Sequence, residues 1–183
     1  STAQRIDEAA QVTLGNVTGG TSYAYVRPMV SIPGQPVSLR LINSGPYPLS
    51  NIVVQFQEMT GIPSSEKMLQ PYRSAPVTLP GRSAFPMIET IRPVVQEEIN
   101  ASIWHFTITS NAGVIDEAIF FRNDPDGYLE YRMNVSRVVL GDSSLVRGVS
   151  PKLVPLIPTT PWTESLMRQT RRKADEAEKT KKK

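Results

Sequence analysis

An all-β, immunoglobulin-like antiparallel β-sandwich, with a short N-terminal helix and a basic C-terminal tail, is the fold class this sequence predicts. Three observations predict it. Short apolar/polar alternations recur at roughly ten-residue spacing, the rhythm of a sandwich rather than of strand–helix units. Sixteen prolines and eleven glycines in 183 residues break the chain too often for long helices. Cysteine is absent, so no disulfide framework replaces a core. The length suffices for one domain that buries a core of its own.

Residues 1–14 read as a helical lead-in or connector. Over 2–12, Ala3, Ile6, Ala10 and Val12 fall near helical spacing, with Gln4, Arg5, Asp7, Glu8 and Gln11 between them. A helix this short is marginal alone, so the end of a longer helix and a frayed terminus both fit. The sandwich domain is expected over 15–148. Helical texture stops across 13–20, where glycines open backbone angles closed to other residues. Residues 22–27 alternate as a first strand. In 36–43, Val37, Leu39 and Leu41 share one face and Ser38 and Arg40 the other. The turn-rich Asn43-Ser44-Gly45-Pro46-Tyr47-Pro48 leads into 49–57, where Ile52, Val54 and Phe56 share a face. These two strands are expected to pair as a hairpin.

Residues 58–76 are irregular around Gly61, Pro63, Pro71 and Pro76. Pro80-Gly81 marks a turn. A strand over 84–91 is interrupted by Pro86, which suits a sheet edge. A strong strand is 99–110, with Trp104, Phe106 and Ile108 on the core face. Asn111-Ala112-Gly113 turns the chain into 114–122, residues 123–127 turn it again, and 128–139 is the last long strand. About seven or eight strands result at this spacing. Pro151, Pro155, Pro158 and Pro161 then punctuate residues 149–162, expected as a polyproline-like segment or one draped over the domain.

Residues 163–183 form a basic tail, helical or disordered. Of the twenty Lys/Arg and seventeen Asp/Glu, eight and four lie in this tail, leaving twelve basic and thirteen acidic side chains in the body. A nucleic-acid reader carries a basic face on its fold, and the sequence of this body offers none. Lys181, Lys182 and Lys183 are the candidate contact for anionic lipid or nucleic acid, each lysine adding roughly 1 kcal/mol near an anionic membrane.

Catalytic chemistry finds few candidates. The single histidine, His105, sits mid-strand opposite Trp104 and Phe106, and no Gly-x-Ser-x-Gly elbow is present. One His and no Cys disfavour zinc. Asp124, Asp126, Gly127 and Glu130 cluster, but Arg122 takes the first ligand position of a calcium loop and Glu130 falls short of the last, so Asp-Pro-Asp-Gly reads as a turn. The glycines of 15–20 lead into a strand and lack a lysine, unlike a phosphate loop. Glu89, Glu97, Glu98, Asp116 and Glu117 are the carboxylates from which a glycosidase pair could be drawn. No cofactor is expected. Asn16, Asn100 and Asn134 head Asn-x-Ser/Thr triplets. Lys152-Leu-Val-Pro155-Leu-Ile-Pro158 fits a proline-ligand pattern, but its apolar residues read as packed on the body. Tyr23, Tyr25 and Tyr47 are the candidate interaction residues of the body, as an aromatic strip along one edge; the alternative is that two of them are core.

Two stretches carry a resemblance. Val17-Thr18-Gly19-Gly20-Thr21-Ser22-Tyr23-Ala24-Tyr25-Val26 resembles the TGG-D-S-[FY] opening of a group of uncharacterised bacterial β-sandwich proteins. Asn43-Ser44-Gly45-Pro46-Tyr47-Pro48-Leu49-Ser50-Asn51-Ile52 resembles their N-x-G-x-[YF]-P-L hairpin. The resemblance covers residues 17–57, and Thr21 stands where the group has Asp. It implies a sandwich that follows an N-terminal membrane helix and a short helical connector. The chain opens on Ser1 rather than Met and holds no run near the ~20 apolar residues of a membrane span. Membrane association is therefore expected through a segment before Ser1. The leading functional expectation is a non-enzymatic interaction or spacer module with a protein partner. Its rivals are a virion or phage structural protein with a basic arm and a carboxylate-dependent carbohydrate-active domain.

Overall fold

The computed structural model describes residues 2–29, 38–60, 73–86, 102–124, 129–139 and 151–163, together with Lys173. Helix α1 spans Thr2–Thr18. The strands are β1 (Ala24–Met29), β2 (Ser38–Asn43), β3 (Leu49–Thr60), β4 (Val77–Leu79), β5 (Ala84–Pro86), β6 (Ile103–Ser110), β7 (Gly113–Asn123), β8 (Leu129–Val139) and β9 (Lys152–Ile157). Three of them form one sheet in the order β1-β2-β5, and six form the other in the order β4-β3-β6-β7-β8-β9. Every pairing is antiparallel. The two sheets pack as a sandwich.

Period-two alternation explains the core. Trp104, Phe106 and Ile108 on β6, Ile115, Ile119 and Phe121 on β7, and Leu129, Tyr131, Met133 and Val135 on β8 all point inward and are buried. They meet Ala24, Val26, Leu39 and Leu41 of the smaller sheet. Trp104 meets Phe121 edge-on with ring centroids 5.0 Å apart. Full burial of each aliphatic side chain contributes about 1.5–3 kcal/mol. Gly113, at φ 109°, makes the tight β6–β7 turn that the sequence marks.

Three expectations are corrected. The helix does not end near residue 14; it runs to Thr18, with the Thr13 and Thr18 hydroxyls turned back onto the carbonyls of Ala9 and Leu14 at 2.8 Å, and stops where Gly19 and Gly20 take positive φ. The strands at 36–43 and 49–57 do not form a hairpin. β2 bonds to β1 and β5, whereas β3 bonds to β4 and β6, so residues 44–48 carry the chain from one sheet to the other. Alternation fixes which face a strand buries, not which strand lies beside it. The segment after Pro151 is not polyproline-like: Lys152–Ile157 pairs with β8, and the Thr160 and Thr163 amides continue onto the Met133 and Tyr131 carbonyls at 2.9 and 2.8 Å.

Proline has a positional logic here. Each sheet edge contains proline or abuts it: Pro28 in β1, Pro86 in β5, Pro155 in β9, and Pro76 and Pro80 on either side of β4. Proline lacks the N–H that an incoming strand would pair. On β1 the seal is more complete. The outward Val26 N–H donates to Glu117 Oε2 at 2.8 Å, and Arg137 Nη2 reaches the Ser22 carbonyl at 3.4 Å.

Candidate functional site

The two stretches that carry the resemblance meet in space at the foot of α1. Ser22 Oγ donates to the Tyr47 carbonyl and accepts the Tyr47 N–H, both at 2.9 Å. Asn43 is buried, and its Nδ2 donates to the Tyr47 carbonyl at 2.8 Å and the Pro80 carbonyl at 2.9 Å. Asn43 Oδ1 accepts the Gly45 N–H at 3.1 Å. The Tyr47 ring lies against Gly15 and Gly20, and a Cβ on either glycine would run into it. Gly19 and Gly20 adopt positive φ of 75° and 50°, which terminates the helix and turns the chain into the sandwich. Asn111, in the β6–β7 turn, donates from Nδ2 to the Val17 carbonyl at 2.9 Å and accepts the Ser50 N–H at 2.9 Å. It therefore satisfies a helix C-terminal carbonyl and ties it to β3.

Beyond this joint α1 stands uncovered. Of its 17 residues only Gly15 is buried. Ile6, Leu14 and Val17 are 66, 63 and 69% exposed. Ala3, Ile6, Ala10, Thr13 and Val17 recur at alternating steps of three and four, the spacing that brings residues onto one helix face. The first turn carries no acidic residue and the last no basic one, so no charge complements the helix dipole.

The three tyrosines separate. Tyr47 belongs to the joint just described. Tyr23 and Tyr25 stay together, rings tilted at 37° with centroids 6.1 Å apart, and both pack on the core margin. Burial holds the Tyr25 hydroxyl above the ordinary phenol range, with nearby Arg27 opposing it. Arg27 Nε donates to Tyr131 Oη at 3.2 Å. Lys181, Lys182 and Lys183 lie outside the described residues, as do Glu89, Glu97, Glu98 and Asp126.

The carboxylates do not converge where they are described. Asp116 and Glu117 are neighbours on β7 and face opposite sides of the sheet. Glu117 is fully enclosed, and burial raises its carboxyl well above the usual range, against the opposing effect of the Val26 N–H bond. Its Oε1 has no hydrogen-bond partner. Glu130 is engaged by Arg122, whose Nη2 lies 2.8 Å from Oε2. His105 lies between the buried Trp104 and Phe106 and turns to the opposite face. No cluster of three metal-ligating side chains occurs among the described residues.

Sequence reasoning missed a cation–π staple. Trp162, beyond β9, sits under Arg122 at 4.0 Å and Arg132 at 4.9 Å from its ring centroid. It fixes the chain leaving β9 onto β7 and β8, each contact worth about 0.5–1 kcal/mol at an exposed site. The only signal in the sequence is a tryptophan in an otherwise proline-rich stretch. No protein-family model, curated protein or solved structure matches this chain.

Proposed function

We propose that this chain is a non-enzymatic interaction module that docks through α1, with the sandwich as the rigid body that carries it. The observation behind this reading is a contrast within one molecule. The helix foot is held by Tyr47, Gly15, Gly20 and Asn111, while the rest of the helix has all its faces in water. An isolated helix of this length is marginal, and α1 lacks the terminal charges that would help it stand alone. A partner helix against Ala3, Ile6, Ala10 and Val17 supplies the missing burial. Prolines at the sheet edges argue against strand addition as the route of association.

The resemblance of residues 17–57 to membrane-tethered sandwich proteins supports a place beside a membrane, with α1 between the sandwich and its anchor. No helix among the described residues is itself long and apolar enough to cross a membrane. The test is assembly size in native cells. The wild-type protein is expected to migrate in a species well above the size of its own single polypeptide, and Ile6→Asp with Val17→Asp to return it to that single-chain size with unchanged melting. Monomeric wild type, or an assembly indifferent to both substitutions, defeats the reading. Fractionation of the same cells tests the tether.

A further inference from the structure

The six-stranded sheet is wider than the three-stranded sheet that covers it. β1 is one edge strand of the smaller sheet. Beyond it, Tyr131 and Met133 of β8 and Ile157 of β9 floor an open cleft of about 210 Å³, flanked by Tyr25 and Arg27 on one side and by Thr160 and Thr163 on the other. The floor is apolar, and its size suits a ring or a short branched chain, since a cavity of about 150 Å³ accepts benzene. Among the described residues the rim carries one full charge, that of Arg27.

The Arg27 guanidinium is oriented rather than loose. Its Nε–H is spent on Tyr131 Oη at 3.2 Å, and its Nη groups make no hydrogen bond among the described residues. Tyr131 Oη accepts that bond and keeps its own proton to donate. Burial keeps Tyr25 in its protonated, donor form. Among the described residues no carboxylate lines the cleft. A guanidinium held at Nε by Tyr131, with its Nη groups unpaired among the described residues, beside hydroxyl donors and an apolar floor, matches a planar anion attached to an apolar body. We propose that this cleft binds a carboxylate bearing a compact apolar group, the carboxylate on Arg27 and the apolar group on Tyr131, Met133 and Ile157. Such a group is offered by a free organic acid or by the C-terminal residue of a peptide.

The experiment is an amide NMR titration of the full chain with four probes: phenylacetate, phenylacetamide, Gly-Gly-Phe and Gly-Gly-Phe amide. Each acid is expected to shift the resonances of Tyr25, Arg27, Thr160 and Thr163, and to bind about ten-fold tighter than its amide, the increment of one charged hydrogen-bonded pair. Arg27→Met abolishes the preference for the acid, and Arg27→Lys keeps part of it. Tighter binding of the tripeptide acid identifies a peptide C-terminus; tighter binding of phenylacetate identifies a free acid. Arg27 is exposed, so Arg27→Met is expected to melt with the wild type. Equal binding of acid and amide, shifts elsewhere, no shifts with any probe, or an acid preference that survives Arg27→Met overturns the proposal.

Discussion

Glu117 is the residue whose chemistry is least at ease with its place. It sits on the inward face of β7, fully buried, with one oxygen on the Val26 N–H and the other unpartnered. An ionised carboxylate there is penalised by desolvation, which is why its proton is held well above the usual carboxyl range. Raised affinity for a proton in the fold makes stability depend on pH. The contribution of the protonated form is complete below the unfolded pKa of about 4.3 and is lost as pH rises through the folded value. Glu117→Gln keeps a carbonyl for the Val26 N–H and has no charge to bury. It is expected to match the wild type near about pH 4 and to be more stable at about pH 8. The gap should widen as pH climbs above the unfolded value, by up to about 1.4 kcal/mol per pH unit until the folded carboxyl ionises. Thermal melts of both proteins across that range measure it. A gap that does not widen with pH would show that Glu117 is not the group that titrates.

At the scale of elements, the joint between α1 and the sandwich explains why the glycines stand where they do. Alanine normally favours a helix over glycine by about 1 kcal/mol. At position 15 the Tyr47 ring occupies the space a Cβ needs, and overpacking costs about 1–3 kcal/mol. Gly15→Ala is therefore expected to loosen the helix foot, seen as faster amide exchange over the last turns of α1. In a Tyr47→Ala background the same change becomes neutral or stabilising, a coupling that a double-mutant cycle reads directly. The sequence displayed this joint only in part. Glycine and proline density marked 15–20 and 43–48 as turns, and the resemblance picked out both. That they touch each other, through Ser22 on Tyr47, is a contact 25 residues apart that no local pattern encodes. Strand faces were legible for the same reason that strand partners were not. Burial on one side writes a period of two into β6, whereas the partner of β2 depends on where a loop crosses. Trp162 and Arg27 act through contacts with strands distant in the chain, and nothing in their own neighbourhoods announces them.

The whole molecule divides into a body that completes itself and a helix that does not. Among the described residues, every large side chain that is fully buried belongs to the sandwich. The core cluster draws on both sheets and takes no residue from α1. What α1 gives the body is confined to its last turn, where Gly15, together with Gly20 just past the helix, seats Tyr47 and the Val17 carbonyl receives Asn111. Removal of residues 2–14 keeps all of those contacts. The shortened chain is therefore expected to unfold in one cooperative transition within a few degrees of the full chain, because one kcal/mol shifts a domain of this size by about 2–4 °C. Its far-ultraviolet spectrum should lose helical signal and keep the strand signal. Removal of residues 2–20 discards the seat of Tyr47 as well and should lower the midpoint further. If the first truncation instead lowers the melting temperature as much as the second, the upper turns of α1 stabilise the body. The helix would then be part of the fold rather than a surface offered to a partner, and the docking role would have to move elsewhere on the molecule.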